Sequence, residues 1–333
     1  MAEIIKERMC SRGLGRAKTR RAARAAVLAA IAIAASVLLR AQGTIDPYSE
    51  VCDWLNLKEA ATVAGLDFHA YKDTESGKAC LEIFRGSRDG VVLYRKTAES
   101  FGEYRLGQKA NAEYNIPKIE DGTDITGRGH PDMIATAWSG GAHCCFVHMI
   151  FELKPELRVV ARLDDGDGDL AHFVDLDGDG HYYYKGNDWT FAYWDTSFAD
   201  SAAPAVVLRF VDDDHGGRYH IAMDKMRSPE PSAEQWKRAI RAASDVFAQG
   251  SRSADGIGSQ LRSNMVNMIY TGHSRLAWKL LDQTWPAQEP GKDKFLSDFC
   301  SQLKNSQYWV DMEKTLEAAP PACSGGKPAV AGK

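Results

Sequence analysis

The sequence predicts an α+β protein in which a β-rich repeat domain precedes a small all-α region. Residues 124–221 contain two units that match each other at offsets of 47 to 51 residues, and repetition at a fixed period is typical of repeat architectures. After Arg227 the apolar residues change from strand spacing to helix spacing. We therefore assign residues 43–227 to the β-rich domain, 228–319 to a helical region and 320–333 to a flexible tail.

Residues 1–42 are predicted to be a signal peptide or an N-terminal membrane anchor. Nine Lys and Arg residues lie within residues 1–41, and residues 25–39 carry no charge. Fifteen uncharged residues fall short of the roughly twenty that span a bilayer, which favours a cleaved signal, but an uncleaved anchor over residues 25–39 stays open. Either alternative predicts an exported chain that is periplasmic or secreted.

The rest of the chain is acidic. Outside residues 1–41 it has 32 basic and 43 acidic residues. Nucleic acids select basic surfaces, so we expect no nucleic-acid partner, and a cation or a cationic partner suits the charge better. Membrane contact is expected only through the N-terminal segment, and only if that segment is not cleaved.

Six cysteines remain when Cys10 is set aside with the N-terminal segment. An even number of cysteines in an exported chain indicates disulfides. Proximity in sequence favours Cys52–Cys80 and Cys300–Cys323, which leaves Cys144 and Cys145 for each other. A bridge between adjacent cysteines is strained, so all fifteen pairings remain formally open.

The first part of the β-rich domain gives mixed signals. Residues 46–65 predict a short helix, with Val51 and Leu55 on its apolar face and Gly65 at its end. Residues 81–85 and 91–95 are apolar runs joined by a turn-rich segment, and they predict a hairpin. Residues 96–123 indicate only strand-like fragments near Tyr104 and Tyr114.

Each repeat unit begins with an aspartate- and glycine-rich loop and continues into strand-like segments. A unit of about fifty residues with three or four strands has the size of a propeller blade, so the domain is predicted to be propeller-like. The matched segments of the two units are Met133–Trp138 with Tyr182–Tyr184, Cys144–Leu153 with Trp189–Trp194, Pro155 with Pro204, and Val159–Leu163 with Val206–Phe210.

The two loops carry the strongest chemical signal. Residues 175–180 read Asp-Leu-Asp-Gly-Asp-Gly, and residues 124–132 are a near copy that ends at Asp132. Calcium takes six to eight oxygen ligands, and alternating acids in a tight loop supply several of them from one side. The alternative is that these aspartates only form turns by accepting hydrogen bonds from backbone N–H groups.

Residues 124–134, Asp-Ile-Thr-Gly-Arg-Gly-His-Pro-Asp-Met-Ile, resemble the FG-GAP repeat of integrin-type β-propellers, and residues 175–180 resemble the same loop. The resemblance covers about a hundred residues. It implies a propeller fold, Ca²⁺ held between two strands, and a protein or carbohydrate ligand. The implied calcium ligands are Asp175, Asp177 and Asp179 in the second loop and Asp124, Thr126 and Asp132 in the first. Arg128 replaces the third acid, and Tyr183 replaces the acid at the ninth position.

Residues 139–145, Ser-Gly-Gly-Ala-His-Cys-Cys, allow several readings. They predict a soft-metal site with His143, His148 and thiolates, a hydrolase that uses His143 with Cys144 or Cys145 as nucleophile, a redox pair, or simply a glycine turn into a buried strand. Exported thiols tend to be oxidised, which favours the last reading. We assign no catalytic residues.

Two further clusters have a structural and a functional reading. Asp164, Asp165, Asp167 and Asp169 form either a solvated turn or a second ion site, and Asp188 could add a ligand to the Asp175 loop. Trp189, Phe191 and Tyr193 would share one face of a strand, where they could stack on a sugar ring, although aromatic residues at strand spacing are usually core.

The C-terminal region predicts four or five short helices. Ser228-Pro229-Glu230-Pro231 is a linker, and Ser232 with Gln235 predicts a capping box at the start of the first helix. We expect an exported, calcium-stabilised binding or scaffold module. The alternative is an exported hydrolase that uses either His143 with Cys144 or Cys145, or a metal held by the acidic loops. In a third reading the sheets are structural and the helices bind the partner.

Overall fold

Three antiparallel sheets of four strands form the β-rich part of the chain. The computed structural model describes residues 52, 56–86, 91–98, 102–141, 145–168, 170–213, 216–248 and 259–325. Within each sheet, strands that are neighbours in sequence are hydrogen-bonded to each other. Sheet 1 contains β1 (Asn56–Val63), β2 (Leu66–Lys72), β3 (Ala79–Arg85) and β4 (Val91–Ala98); sheet 2 contains β5 (Glu103–Leu106), β6 (Asp132–Trp138), β7 (Phe146–Glu152) and β8 (Arg158–Gly166); sheet 3 contains β9 (His172–Asp175), β10 (Tyr182–Asn187), β11 (Ala205–Val211) and β12 (Arg218–Ile221).

The helix predicted over residues 46–65 is wrong where the chain is described, because Asn56–Val63 is strand β1. It pairs antiparallel with β2 from Asn56 opposite Lys72 to Val63 opposite Leu66. Ala64 and Gly65 both adopt positive φ, at +52° and +82°, which is the backbone of a tight hairpin turn. Gly65 therefore turns a hairpin and does not end a helix.

Several predicted strands are confirmed, and one is wrong. The hairpin of residues 81–95 is β3 paired with β4, and the fragment near Tyr104 is β5. Residues 189–194 are not a strand. Their turn is held by Asp188, whose carboxylate accepts hydrogen bonds from the backbone N–H and the hydroxyl of Thr190. As a result β11, which we had matched with β8, follows β10 directly in sheet 3.

Sheet 2 packs between sheets 1 and 3. On one side, Val147, Met149 and Phe151 of β7 join a core cluster with residues of sheet 1, such as Phe68 and Ile83. On the other side, Ile134 and Ile150 join a cluster with Phe173, Tyr184 and Leu208 of sheet 3. Alternate residues of the strands in sheet 2 therefore serve two different cores, as the period of two in a strand requires.

The helical region contains α1 (Met223–Met226), α2 (Ala233–Ala248), α3 (Ser259–Tyr270), α4 (Ser274–Thr284), α5 (Lys292–Lys304) and α6 (Trp309–Met312). The predicted capping box is confirmed: Ser232 N–H donates to Gln235 Oε1 at 2.7 Å, and Gln235 N–H donates to Ser232 Oγ at 3.2 Å. Buried residues of α3 to α6 belong to the same core cluster as Phe173 and Leu208 of sheet 3. The helices and sheet 3 therefore share one core.

Two predicted disulfides are confirmed. Cys52 is bonded to Cys80, and Cys300 to Cys323. The second bond fastens the short 3₁₀ turn Pro321–Cys323 to α5, so the tail after Pro320 is anchored at Cys323, as the predicted bond implies. Residues 326–333 lie outside the described part of the chain.

Candidate cation-binding loops

The two aspartate loops have the same backbone conformation. In each, the carboxylate at the first position accepts hydrogen bonds from the backbone N–H groups of the fifth and sixth positions. Asp124 accepts from Arg128 at 3.0 Å and Gly129 at 2.7 Å, and Asp175 accepts from Asp179 at 3.2 Å and Gly180 at 2.9 Å. The glycines at the fourth and sixth positions all have positive φ, from +71° to +85°. Glycine adopts this region without steric cost, which explains the residue choice.

The loops also occupy matching places in their sheets. The first loop leads into β6 and the second into β10, and each of these is the second strand of its sheet.

The chain between β5 and the first loop is longer than the one between β9 and the second loop, and it contains antiparallel bridges at Gln108–Ile119 and Asn111–Ile116. The predicted fragment near Tyr114 is therefore part of a turn.

The first loop brings its three predicted ligands together. Thr126 Oγ1 donates to Asp132 Oδ2 at 3.0 Å and lies 3.5 Å from Asp124 Oδ1. Asp132 Oδ2 also accepts from the backbone N–H groups of Ile125 and Thr126, both at 2.9 Å. Asp132 is 1% exposed, and its Oδ1 has no hydrogen-bond partner among the described residues. Burial raises the pKa of Asp132 to about 6, because a site removed from water disfavours the charged form of a carboxylate.

β12 and the turn between β11 and β12 each place a polar group near the first loop, and sequence reasoning missed both. The hydroxyl of Tyr219 in β12 is buried with no partner among the described residues, and burial, followed by the charges of Asp132 and Asp124, raises its pKa. Arg128 Nε lies 3.1 Å from Glu152 Oε2, and its Nη1 lies 3.3 Å from Asp212 Oδ1. Arg128 occupies the position of the third acid of the loop. Its side chain forms ion pairs with Glu152 of sheet 2 and with Asp212, which follows β11 of sheet 3.

In the second loop the carboxylates are satisfied by the chain itself. Both oxygens of Asp175 accept backbone N–H groups, which lower its pKa. The ammonium group of Lys225 in α1 pairs with Asp177 Oδ1, and the Tyr183 hydroxyl donates to Asp177 Oδ2 at 2.9 Å. Asp179 Oδ1 accepts from the His181 backbone N–H at 3.0 Å. Tyr183, at the ninth position, therefore holds Asp177 by a hydrogen bond in place of an acid.

The donor chemistry of the first loop fits a hard cation better than that of the second. Asp124, Thr126 and Asp132 offer oxygen donors around one buried point, and Asp132 Oδ1 is left uncompensated. Within the described ranges, no three side chains of His, Cys, Asp or Glu are grouped so that they could hold a metal ion. Calcium at the first loop would therefore need backbone or water oxygens to complete its shell.

A pocket of about 270 Å³ lies between the two loops. Thr126 and Gly127 of the first loop line it together with Asp179 and His181 of the second, and Arg209 of β11 forms another wall. The loops approach closely here: a Cβ on Gly127 would lie 3.1 Å from His181 Cδ2. Residues of both loops therefore line one concave pocket.

The predicted aromatic face is not formed, because its residues are not in a strand. Phe191 is buried in the core against Phe299, with ring centroids 5.4 Å apart. Trp189 stacks on Phe198 at 5.3 Å, and Tyr193, which is 58% exposed, packs on the same ring at 5.4 Å. The rings of Trp189 and Tyr193 therefore both pack on Phe198, which the alternating pattern of a strand does not place with them.

A buried polar cluster at the end of β8 was also missed. Asp165, from the predicted acidic turn, is 2% exposed, and burial raises its pKa to about 7. Asn187 N–H donates to its Oδ1 at 3.3 Å, and Gly168 and Gly186 leave room for its two oxygens. Asp188, the proposed extra ligand, instead accepts hydrogen bonds from Tyr270 and Ser306. Asp169 lies outside the described residues.

The structure removes part of the basis for the soft-metal site and the cysteine nucleophile considered for residues 139–145. Cys145 is disulfide-bonded, so its sulfur is not a thiolate, while His143 and Cys144 lie outside the described residues. His148 Nδ1 is hydrogen-bonded to Thr136 Oγ1 at 2.9 Å, and burial lowers the pKa of His148 to about 4. His148 is therefore a neutral side chain packed between sheets 2 and 3.

No family model matches the chain, and no match was found among curated proteins or solved structures. Within the described residues, no helix is both long enough and apolar enough to cross a membrane. The predicted signal or anchor in residues 1–42 lies outside that part of the chain.

Proposed function

We propose that the chain is an exported, calcium-stabilised binding module with a propeller-like arrangement of its sheets. The main support for a bound cation is Asp132, a buried carboxylate next to Asp124 and Thr126 whose Oδ1 has no hydrogen-bond partner among the described residues. A bound Ca²⁺ would balance this charge and fix sheet 2 against Tyr219 of sheet 3. The second loop is a weaker calcium site, because Ca²⁺ there must displace the ammonium of Lys225 from Asp177.

The recognition surface in this proposal is the pocket between the loops. Aspartate, histidine, arginine and threonine side chains line it next to the rings of Tyr182 and Phe210. Polar groups that converge beside apolar walls are typical of ligand sites and suit a protein or carbohydrate partner. Meander sheets packed face to face in chain order support the propeller-like arrangement.

Export is supported by the disulfides. Cys52–Cys80 and Cys300–Cys323 are formed, and Cys145 is also disulfide-bonded. Such bonds form and persist in oxidising compartments and are rare in the cytosol. The periplasm or the cell exterior is therefore the proposed location.

The proposal is tested by titrating the purified full chain with Ca²⁺ by calorimetry and by thermal melting. We expect Ca²⁺ to bind and to raise the melting temperature. Asp132→Asn should abolish the tighter binding and most of that rise, while Asp200→Asn, an exposed control, keeps both. Asp177→Ala reports separately on the second loop. Binding that survives both Asp132→Asn and Asp177→Ala would remove the loops from the proposal, and no binding to wild type would show that the aspartates only form turns.

A further inference from the structure

A second pocket, of about 400 Å³, lies in the helical region. Its walls are the linker of residues 228–231 and the facing sides of α2 and α3. This volume lies in the range of small-molecule sites, about 300 to 1,000 Å³. None of the loop residues discussed above lines it.

The lining of this pocket combines polar and apolar residues and contains no Lys or Arg among the described residues. Among the same residues, Glu230 supplies the one carboxylate. Asn264 and Asn267 are three residues apart on α3, so their amides are neighbours on one helix face. In the described structure neither amide takes part in a hydrogen bond, and Glu230 has no ion-pair partner. The pocket therefore presents two amides and a carboxylate that the fold does not use.

The frame around these groups is fixed. His273 Nε2 is hydrogen-bonded to Ser228 O at 2.8 Å, and Arg227 Nη1 donates to Gly272 O at 3.2 Å. The capping box of Ser232 and Gln235 fixes the start of α2, and the rings of Pro229 and Pro231 restrict the linker backbone. A preformed pocket lowers the entropic cost of binding.

We propose that this pocket binds a neutral carbohydrate of one or two rings. A carboxamide has both donors and an acceptor, and a hydroxyl group has both roles as well, so neighbouring amides match neighbouring sugar hydroxyls. The Glu230 carboxylate accepts strong hydrogen bonds from hydroxyl donors, while Met268 and the proline rings offer apolar surface to the C–H face of a ring. The absence of Lys and Arg from the described lining, together with the Glu230 carboxylate, disfavours phosphate, sulfate and acidic sugars.

The test uses the full chain with D-glucose, D-galactose, D-mannose and N-acetyl-D-glucosamine as separate probes, followed by saturation-transfer NMR and calorimetry. We expect at least one sugar to bind. Asn264→Ala and Asn267→Ala should each weaken that binding about tenfold, since a lost hydrogen-bond partner in a site costs about 1–3 kcal/mol. Asn305→Ala, an amide on the surface after α5, is the matched control and should leave the affinity unchanged.

Three results would overturn the proposal. The first is that none of the four sugars binds, and the second is that a sugar binds but both asparagine variants leave its affinity intact. The third is that acetyl-triglycine amide binds, that the same variants abolish its binding, and that the sugars do not compete with it. The last result would identify a peptide site. This inference does not depend on the calcium loops, because Asp132→Asn should abolish the tighter calcium binding and leave the sugar affinity unchanged.

Discussion

The ionisation of Asp165 is governed by burial. Its pKa is raised from the ordinary 3.8 to about 7, so the folded protein binds a proton there more tightly than the unfolded chain does. This contribution to stability is fully present below pH 3.8 and is lost as the pH rises through 7. The described residues that raise or lower this pKa include no Lys or Arg.

We predict that Asp165→Asn stabilises the protein at pH 8 by as much as about 4 kcal/mol and has little effect near pH 4, since one pKa unit corresponds to about 1.36 kcal/mol. Urea unfolding of wild type and variant at pH 4 and pH 8 measures this. Asp164→Asn, at the exposed neighbouring carboxylate, is the control. An equal stability change at both pH values would mean that ionisation of Asp165 does not matter.

His148 has the opposite pH dependence. Burial lowers its pKa from 6.5 to about 4, so its contribution to stability is present above pH 6.5 and is lost as the pH falls through 4. The wild-type profile between pH 4 and 7 therefore combines contributions of opposite sign. For this reason the effect of Asp165 is read from the difference between variant and wild type and not from the wild-type curve.

Arg128 is the residue whose role differs most from its place in the motif. It pairs with Glu152, which is 0% exposed on its side chain. Arg128→Met should cost about 3 kcal/mol, at the low end for breaking a buried pair, because Arg158 still lies 2.6 Å from Glu152 Oε1. Arg158→Met, at a side chain that is 43% exposed, should cost less in the same chemical denaturation series. The reverse order would contradict this assignment.

At the scale of elements, the two loops allow a matched comparison. Gly127 and Gly178 have φ of +73° and +71°, so alanine at either should cost about 1–2 kcal/mol for the left-handed conformation. Only Gly127→Ala also crowds a neighbour, His181, so it should destabilise more than Gly178→Ala. Adding His181→Ala should remove the excess. Equal costs for the two glycine variants in thermal melts would show that the loops do not press on each other.

Local chemistry explains which elements could be predicted from the sequence. The capping box at Ser232 and the hairpin of β3 and β4 depend on residues within a few positions of each other, and both are confirmed. Residues 56–63 were misassigned because their apolar spacing also suits a helix, and pairing with β2 decided the outcome. Likewise, the turn after Asp188 depends on Tyr270 and Ser306, which are remote in sequence.

The candidate site shows the same division. The aspartates and glycines of both loops could be identified from the motif, since the loop conformation is local. The burial of Asp132 and its electrostatic effect on Tyr219, a residue far along the chain, could not be predicted, because they arise only in the folded structure. The Lys225 contact to Asp177 likewise comes from α1, after sheet 3 is complete.

At the scale of the whole molecule, the helices are tied to sheet 3 by polar contacts as well as by the shared core. Tyr270 of α3 and Ser306 after α5 both donate to the buried Asp188, which directly follows β10 of sheet 3. A further contact reaches sheet 2, where Gln307 Nε2 donates to Asp164 O of β8 at 2.9 Å. Removing a donor from a buried carboxylate leaves its charge poorly compensated. Such contacts favour a single cooperative unit.

We therefore predict that a chain ending at residue 227 does not fold to a stable domain, although the repeat motif ends before that point. The truncation would expose Phe173, Phe191 and Leu208, which are each at most 2% exposed when the helices are present, and it would leave Asp188 without its tyrosine and serine donors. Circular dichroism and calorimetry should show no cooperative transition for the truncated chain.

Tyr270→Phe in the full chain is the milder companion to this truncation. It removes one donor to Asp188 and should cost about 1–3 kcal/mol while keeping one transition. Helical and strand signals should shift together, because α3 and sheet 3 share their core. If instead the truncated chain melts cooperatively and Tyr270→Phe shifts the helical signal alone, the sheets and the helices are separate folding units, and the boundary at residue 228 is a true domain boundary.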